Sequence, residues 1–210
     1  MLEEIKINCH SSIKIKKDKT IYIDPYRIKE EQHDADYIFV THPHYDHLST
    51  EDILKASRPE TIYIVTEDSK QQLNEIGVSD NNIAIVKPNN NYEIERIKFE
   101  TVPAYNINKE FHPKENNWVG YIINLDGTKY YIAGDTDDIE EIEKINCDAA
   151  FLPIGGTYTM NTKEAADLAN RLDCKVIVPI HYGELVGTKE DLENFLELTN
   201  KHVEVLINNK

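Results

Sequence analysis

The chain has 210 residues, enough for one domain with a sizeable core, and its 38 acidic against 23 basic residues give a formal net charge of -15. Such an acidic surface repels phosphate backbones, which argues against nucleic acid as a partner. No run approaches ~18 consecutive apolar residues, so no membrane span is expected.

The chain opens on short β patterns. Ile5, Ile7 and Cys9 alternate with polar residues, as do Ile13 and Ile15, then Ile21 and Ile23. A secretory leader would need an uninterrupted apolar stretch here, so a cytoplasmic location is expected. Cys9, Cys147 and Cys174 are scattered singly and read as small core residues of a reducing compartment. Tyr37–Val40 is an unbroken apolar run and predicts a buried strand. Ser49 or Thr50 caps the next helix, with Glu51 and Asp52 in its first turn. A strand is expected over 61–65 and a helix from Asp68 to Ile76 that stops at Gly77.

Strand patterns return around 82–87, 92–102, 118–125 and 128–133. Helices are then expected near 137–145, 161–172 and 188–200, with strands near 148–153, 175–180 and 203–207. Consecutive strands followed by mixed units predict an α/β (α+β) architecture of sheets covered by helices, in a single domain over 1–210. No internal repeat is visible. The stretch 105–117 has no clear period, and long irregular loops are often functional.

Thr41-His42-Pro43-His44-Tyr45-Asp46-His47 follows directly on the strand at Tyr37–Val40. It concentrates three of the eight histidines and an aspartate on a loop held by a rigid strand. His42 and His44 are two apart and can point the same way, while Asp46 and His47 can turn toward a second point. Neutral imidazoles with a carboxylate suit zinc, manganese or iron. A merely polar, histidine-rich loop is the bland alternative. Two more apolar strands end in donors: Tyr130–Ala133 runs to Asp135, and Val176–Ile180 runs to His181. Each has an ordinary explanation alone, a helix cap and a turn histidine.

Together these residues resemble the metallo-β-lactamase superfamily across nearly the whole chain. The resemblance implies a four-layer αββα sandwich with metals at one edge. It makes His42, His44, Asp46, His47, Asp135 and His181 the metal ligands of one or two divalent ions, zinc first and manganese next. Cys9-His10-Ser11-Ser12, Tyr22-Ile23-Asp24-Pro25-Tyr26, Pro103-Ala104-Tyr105-Asn106 and Phe111-His112-Pro113-Lys114 look like a branch of small metal-dependent hydrolases similar to L-ascorbate 6-phosphate lactonase.

One position departs from the superfamily pattern. Asn106 stands where another histidine is usual, and the one histidine in that interval is His112. Either one metal has a reduced shell, or His112 or His10 compensates. An amide oxygen is a weaker donor to zinc than an imidazole nitrogen, so Asn106→His is expected to tighten binding.

The implied chemistry is hydrolysis by metal-activated water of a small lactone, ester or phosphodiester. Asp135 suits a bridging carboxylate. Asp46 suits a ligand or base, and these two are the catalytic candidates. His112, Lys114, Tyr182 and His10 are the substrate-binding candidates, and Lys114 suits an anionic group. Asp24 is a candidate for fixing a histidine tautomer, or a simple turn residue before Pro25. A homo-oligomer is compatible with the sequence. An iron-dependent thiol or sulfur oxygenase and a non-catalytic metal-binding protein are the alternatives.

Overall fold

Isoleucines of the strands, such as Ile13, Ile15, Ile21 and Ile23, are fully buried. The computed structural model describes residues 2–207, so the ends of the span expected as one domain lie outside the described residues. The chain divides into two compact units, 1–87 and 88–210.

In the first unit, β1 (Ile5–Cys9), β2 (Ser12–Lys16) and β3 (Thr20–Ile23) form an antiparallel meander. β4 (Tyr37–Phe39), β5 (Ile62–Val65) and β6 (Ile83–Ile85) then add parallel to β3 in sheet order β1-β2-β3-β4-β5-β6. The period-2 pattern of β1 matches its alternating burial. α1 (Thr50–Ala56) starts at Ser49, whose hydroxyl accepts the Asp52 N–H. α2 (Lys70–Glu75) follows a 3-10 turn at Glu67–Ser69, and Gly77 ends it at φ 87°. Ile38, Val40, Leu48, Ile53, Ala56, Val65 and Leu73 pack into one core that fastens both helices to the sheet.

The second unit repeats the plan. β7 (Asn90–Ile94), β8 (Ile97–Pro103), β9 (Val119–Leu125) and β10 (Thr128–Ile132) are antiparallel neighbours. β11 (Asn146–Pro153) and β12 (Asp173–Ile180) continue in parallel, giving the order β12-β11-β10-β9-β8-β7. α3 (Thr162–Arg171) begins with a capping box of Asn161 and Glu164 and buries Ala165, Ala166, Leu168 and Ala169. α4 (Lys189–Leu198) has a second box of Thr188 and Asp191 and buries Phe195.

Three expectations change. The pattern over 92–102 is not one strand. It is the hairpin β7–β8, turning at Glu95 with φ 53°, a left-handed position with no glycine to announce it. The helix expected near 137–145 reduces to a 3-10 turn at Glu140–Ile142. Ile139, Ile142 and Ile145 are all buried, and their spacing of three fits the tighter helix. The strand expected near 203–207 reduces to a single bridge, Val203 beside Ile177. Among the described residues no helix is long and apolar enough to cross a membrane.

The loop between β3 and β4 is tied down by polar groups. Asp34 accepts from Lys14 Nζ at 2.8 Å and from the hydroxyl of fully buried Tyr22 at 2.8 Å. Burial pushes the Asp34 carboxyl up, but the bonds from Lys14 and Tyr22 outweigh it and hold it below the usual carboxylate range. A lowered folded value means that the stabilisation is present at neutral pH and lost as pH falls through that value. Asp34→Ala should therefore cost about 1–3 kcal/mol at pH 7, by removing the partner of Lys14 and leaving the Tyr22 hydroxyl without an acceptor. Denaturant melting at pH 7 and pH 3 checks this; an equal loss at both would exclude the ion pair as its source.

Candidate functional site

The candidate donors sit just past the carboxyl ends of strands, where parallel pairing brings loops to one edge of each sheet. In the first unit, the parallel register Ile23↔Phe39 sets Asp24 beside the start of the histidine loop. The Asp24 N–H donates to Phe39 O at 2.9 Å. Its carboxylate then collects three donors: the Thr41 N–H and the Thr41 hydroxyl at 2.8 Å each, and His47 Nδ1 at 2.7 Å. Burial pushes the Asp24 carboxyl up, and the His47 and Thr41 contacts partly offset it.

These bonds settle tautomers. The Asp24 carboxylate accepts from His47 Nδ1, so that nitrogen carries the proton. The Thr41 hydroxyl spends its hydrogen on Asp24, so it accepts from His42 Nδ1, 3.0 Å away. Both rings therefore carry their lone pair on Nε2. His42 Nε2 faces His44 Nδ1 at 3.0 Å, and His47 Nε2 faces Asp46 Oδ2 at 3.5 Å. His10 Nε2 lies 3.3 Å from the same Asp46 oxygen. Lone pairs brought this close in a buried site need a proton or a cation between them. The loop is rigid, with Leu48 N–H donating to His44 O at 2.7 Å before Ser49 caps α1.

In the second unit, Asp135 follows β10, and His181 follows β12 at φ 56°, a left-handed conformation unusual for histidine. His181 Nε2 is 3.0 Å from Asp135 Oδ2, and His112 Nε2 is 3.3 Å from that same oxygen. One carboxylate oxygen thus meets an imidazole on each side. All three residues are buried.

Asn106 is buried too, and it contacts His112 rather than Asp135. Its Oδ1 meets the His112 N–H at 3.1 Å and His112 Nδ1 at 3.0 Å. Its Nδ2 donates to Asp137 Oδ1 at 3.1 Å and to Tyr158 O at 2.9 Å. Asp137 also accepts the Ile107 N–H at 2.9 Å and pairs with Lys109. For Asp137 and Lys109 the sequence offers no signal beyond the alternation of Asp135 and Asp137 on one loop.

Of the remaining candidates, Lys114 lies at the surface over the Tyr105 ring, with its charge matched by Glu141 at 2.7 Å. Tyr182 is fully buried beside His181, and its hydroxyl has no hydrogen-bond partner among the described residues. Burial pushes that hydroxyl up to about 12, so it keeps its proton at neutral pH. A Cβ on Gly155 would sit 2.2 Å from His181 O, and one on Gly187 would sit 3.1 Å from Tyr182 Cβ. These two glycines let the His181–Tyr182 turn pack closely.

A model of the beta-lactamase superfamily domain matches residues 4–181. The chain is 34% identical over 213 aligned positions to a UPF0173 metal-dependent hydrolase of Thermococcus onnurineus, covering 94% of this chain and 92% of the relative. Among solved structures it resembles a protein of Parabacteroides distasonis described as a metal-dependent hydrolase. The TM-score is 0.81 at 30% identity, over 97% of this chain and 93% of the other. It also shares the fold of a Thermotoga maritima protein described as a Zn-dependent hydrolase of the metallo-β-lactamase superfamily. There the TM-score is 0.65 at 22% identity, over 96% of each chain.

Two substitutions probe the packing of the His181 turn. Gly155→Ala should destabilise by about 1–3 kcal/mol, because the backbone carbonyl of His181 cannot move aside cheaply. Tyr182→Phe should leave stability unchanged or raise it, since it removes a buried hydroxyl without a partner. Thermal melting checks both, and a clear loss in Tyr182→Phe would mean that the hydroxyl is bonded.

Proposed function

The chain belongs to the beta-lactamase superfamily and is a metal-dependent hydrolase, and from that premise we propose how it works. His42, His44, Asp46, His47, Asp135 and His181 hold one or two divalent transition-metal ions, zinc in preference and manganese next. The observation that carries this reading is the contact each ring makes through Nδ1, His42 with the Thr41 hydroxyl and His47 with the Asp24 carboxylate. Thr41 and Asp24 then hold the ring protons on Nδ1, which leaves Nε2 as the donor on both rings. Such an ion, when bound, supplies an ionised water near neutral pH and polarises the substrate oxygen.

The chain's own residues do the rest. Asp135 Oδ2, 3.0 Å from His181 Nε2 and 3.3 Å from His112 Nε2, would hold an ion together with these imidazoles. Asp46, beside His10 and His47, is the group placed to accept a proton. Tyr182 keeps its proton and so can donate to a substrate oxygen. His10, buried against Asp46, is the second substrate-binding group. The substrate is a small molecule: a lactone, an ester or a phosphodiester. The resemblance of the Cys9–Ser12 and Tyr22–Tyr26 stretches to a lactonase-like branch of small hydrolases supports this range of substrates. The three cysteines are buried thiols, which supports a reducing cytoplasm as the working compartment.

Purified protein reconstituted with zinc or manganese should hydrolyse members of one of these three classes. Chelation should abolish the rate, and zinc or manganese should restore it. His44→Ala combined with Asp135→Asn should lose both bound metal and activity. A chelation-resistant rate, or an unchanged metal load in the double variant by elemental analysis, would overturn the reading. Iron content with oxygen uptake, in place of hydrolysis, would move the chain to the oxygenase alternative.

A further inference from the structure

We infer that Asn106 is not a donor but the positioning residue that makes His112 one, supplying the histidine that the interval between His47 and Asp135 otherwise lacks. The inference rests on the metal-dependent reading above and adds a residue pair to it.

Every polar atom of the Asn106 side chain is committed. An amide oxygen accepts twice and an amide nitrogen donates twice. The backbone N–H of His112 can only donate, so the Asn106 atom facing it at 3.1 Å is the oxygen. The same oxygen faces His112 Nδ1 at 3.0 Å, so Nδ1 carries the ring proton. Both lone pairs of Oδ1 are then used. The two hydrogens of Nδ2 go to Asp137 Oδ1 and Tyr158 O. Nothing on Asn106 is left over for a cation.

His112 is left as the donor through Nε2, the nitrogen that lies 3.3 Å from Asp135 Oδ2. The ring has little freedom. The Asn106 N–H donates to His112 O at 2.8 Å, closing a reciprocal clasp across the loop. The Trp118 ring meets the imidazole edge-on with centroids 5.5 Å apart. Asp137 anchors the clasp from the loop that carries Asp135, and Tyr105 O accepts the Asp137 N–H at 2.9 Å. The arrangement repeats what Asp24 does for His47, with an amide in place of a carboxylate.

The expectation for Asn106→His therefore reverses. An imidazole cannot accept twice and donate twice, so this substitution should weaken metal binding.

The test is zinc affinity by competition with a chromophoric chelator, with melting of the metal-free proteins as the control for folding. His112→Ala and Asn106→Ala should each lower affinity for one zinc equivalent by about 10–100-fold. Asn106→His should lower it as well. Exchanging the pair, Asn106→Asp with Asp137→Asn, keeps an oxygen on His112 Nδ1 and a donor between the two side chains. Because Tyr158 O loses its donor and Lys109 its carboxylate, it should recover part of the affinity, binding more tightly than Asn106→Ala. ¹⁵N spectra of the imidazoles should show the Nδ1–H tautomer of His112 in the parent and in the exchanged pair, and its loss in Asn106→Ala. A merely structural role would not move that signal.

Zinc affinity unchanged in His112→Ala, with turnover impaired, would make His112 a substrate contact and overturn the inference while the metal-dependent reading stands. An Asn106→Ala variant that keeps both affinity and tautomer would overturn the positioning role. A parent that binds no zinc and no manganese would overturn the metal reading itself. The tautomer signal of metal-free protein would then still decide what Asn106 does to His112.

Discussion

A neutral imidazole has one proton and two nitrogens, and only the bare nitrogen can hold a metal. Which one is bare depends on what the other touches. His47 has Asp24 on Nδ1, His42 has the Thr41 hydroxyl, and His112 has the Asn106 amide oxygen. Keeping those three partners in place fixes which nitrogen of each ring is bare. Asp24 is the most demanding of them. A carboxylate in a fully buried position is costly unless donors surround it, and Thr41 and His47 bring three within 2.8 Å. Those donors arrive because β3 and β4 pair in parallel with Ile23 opposite Phe39. A shift of one residue in that register would turn the loop's side chains to the other face.

The same economy shows in the backbone. Asp24, His10 and His181 all occupy left-handed conformations, at φ 46°, 55° and 56°. Such strain persists where surrounding contacts over-determine the position, and it gathers at functional sites. At His181 the surroundings include Gly155 and Gly187, whose missing side chains admit the turn. The net charge of -15 works in the same direction, since an acidic molecule raises the local concentration of cations.

The two units use one plan twice. Each has an antiparallel meander that gives way to parallel strands, with Asp24 and His42 in the first unit and Asp135 and His181 in the second past the carboxyl ends of the parallel set. The correspondence lies in strand order and not in residues, so no repeat is visible in the sequence. It also explains why a short linear motif is not enough. In the second unit His112, Asp135 and His181 come together from three separate loops, after β8, β10 and β12.

The sequence by itself determined the strands and what stands at their ends. Runs such as Tyr37–Val40 and Val176–Ile180 have one stable fate, burial in a sheet, and the polar residue that follows must emerge at an edge. The family and its hydrolytic chemistry were legible for that reason. Only the tertiary structure decided which side chain serves which ring. Asp24 and His47 are 23 residues apart, and Asn106 and Asp137 are 31 apart. Strand pairing joins them, and pairing register is not written in local periodicity. The loop after β8 looked like a site with a missing histidine, because residue type alone cannot reveal that an amide is saturated. The hairpin at Glu95 and the 3-10 turn at Ile142 stayed hidden on similar grounds. A left-handed turn without glycine and an apolar spacing of three leave no local signal that separates them from a strand and a helix.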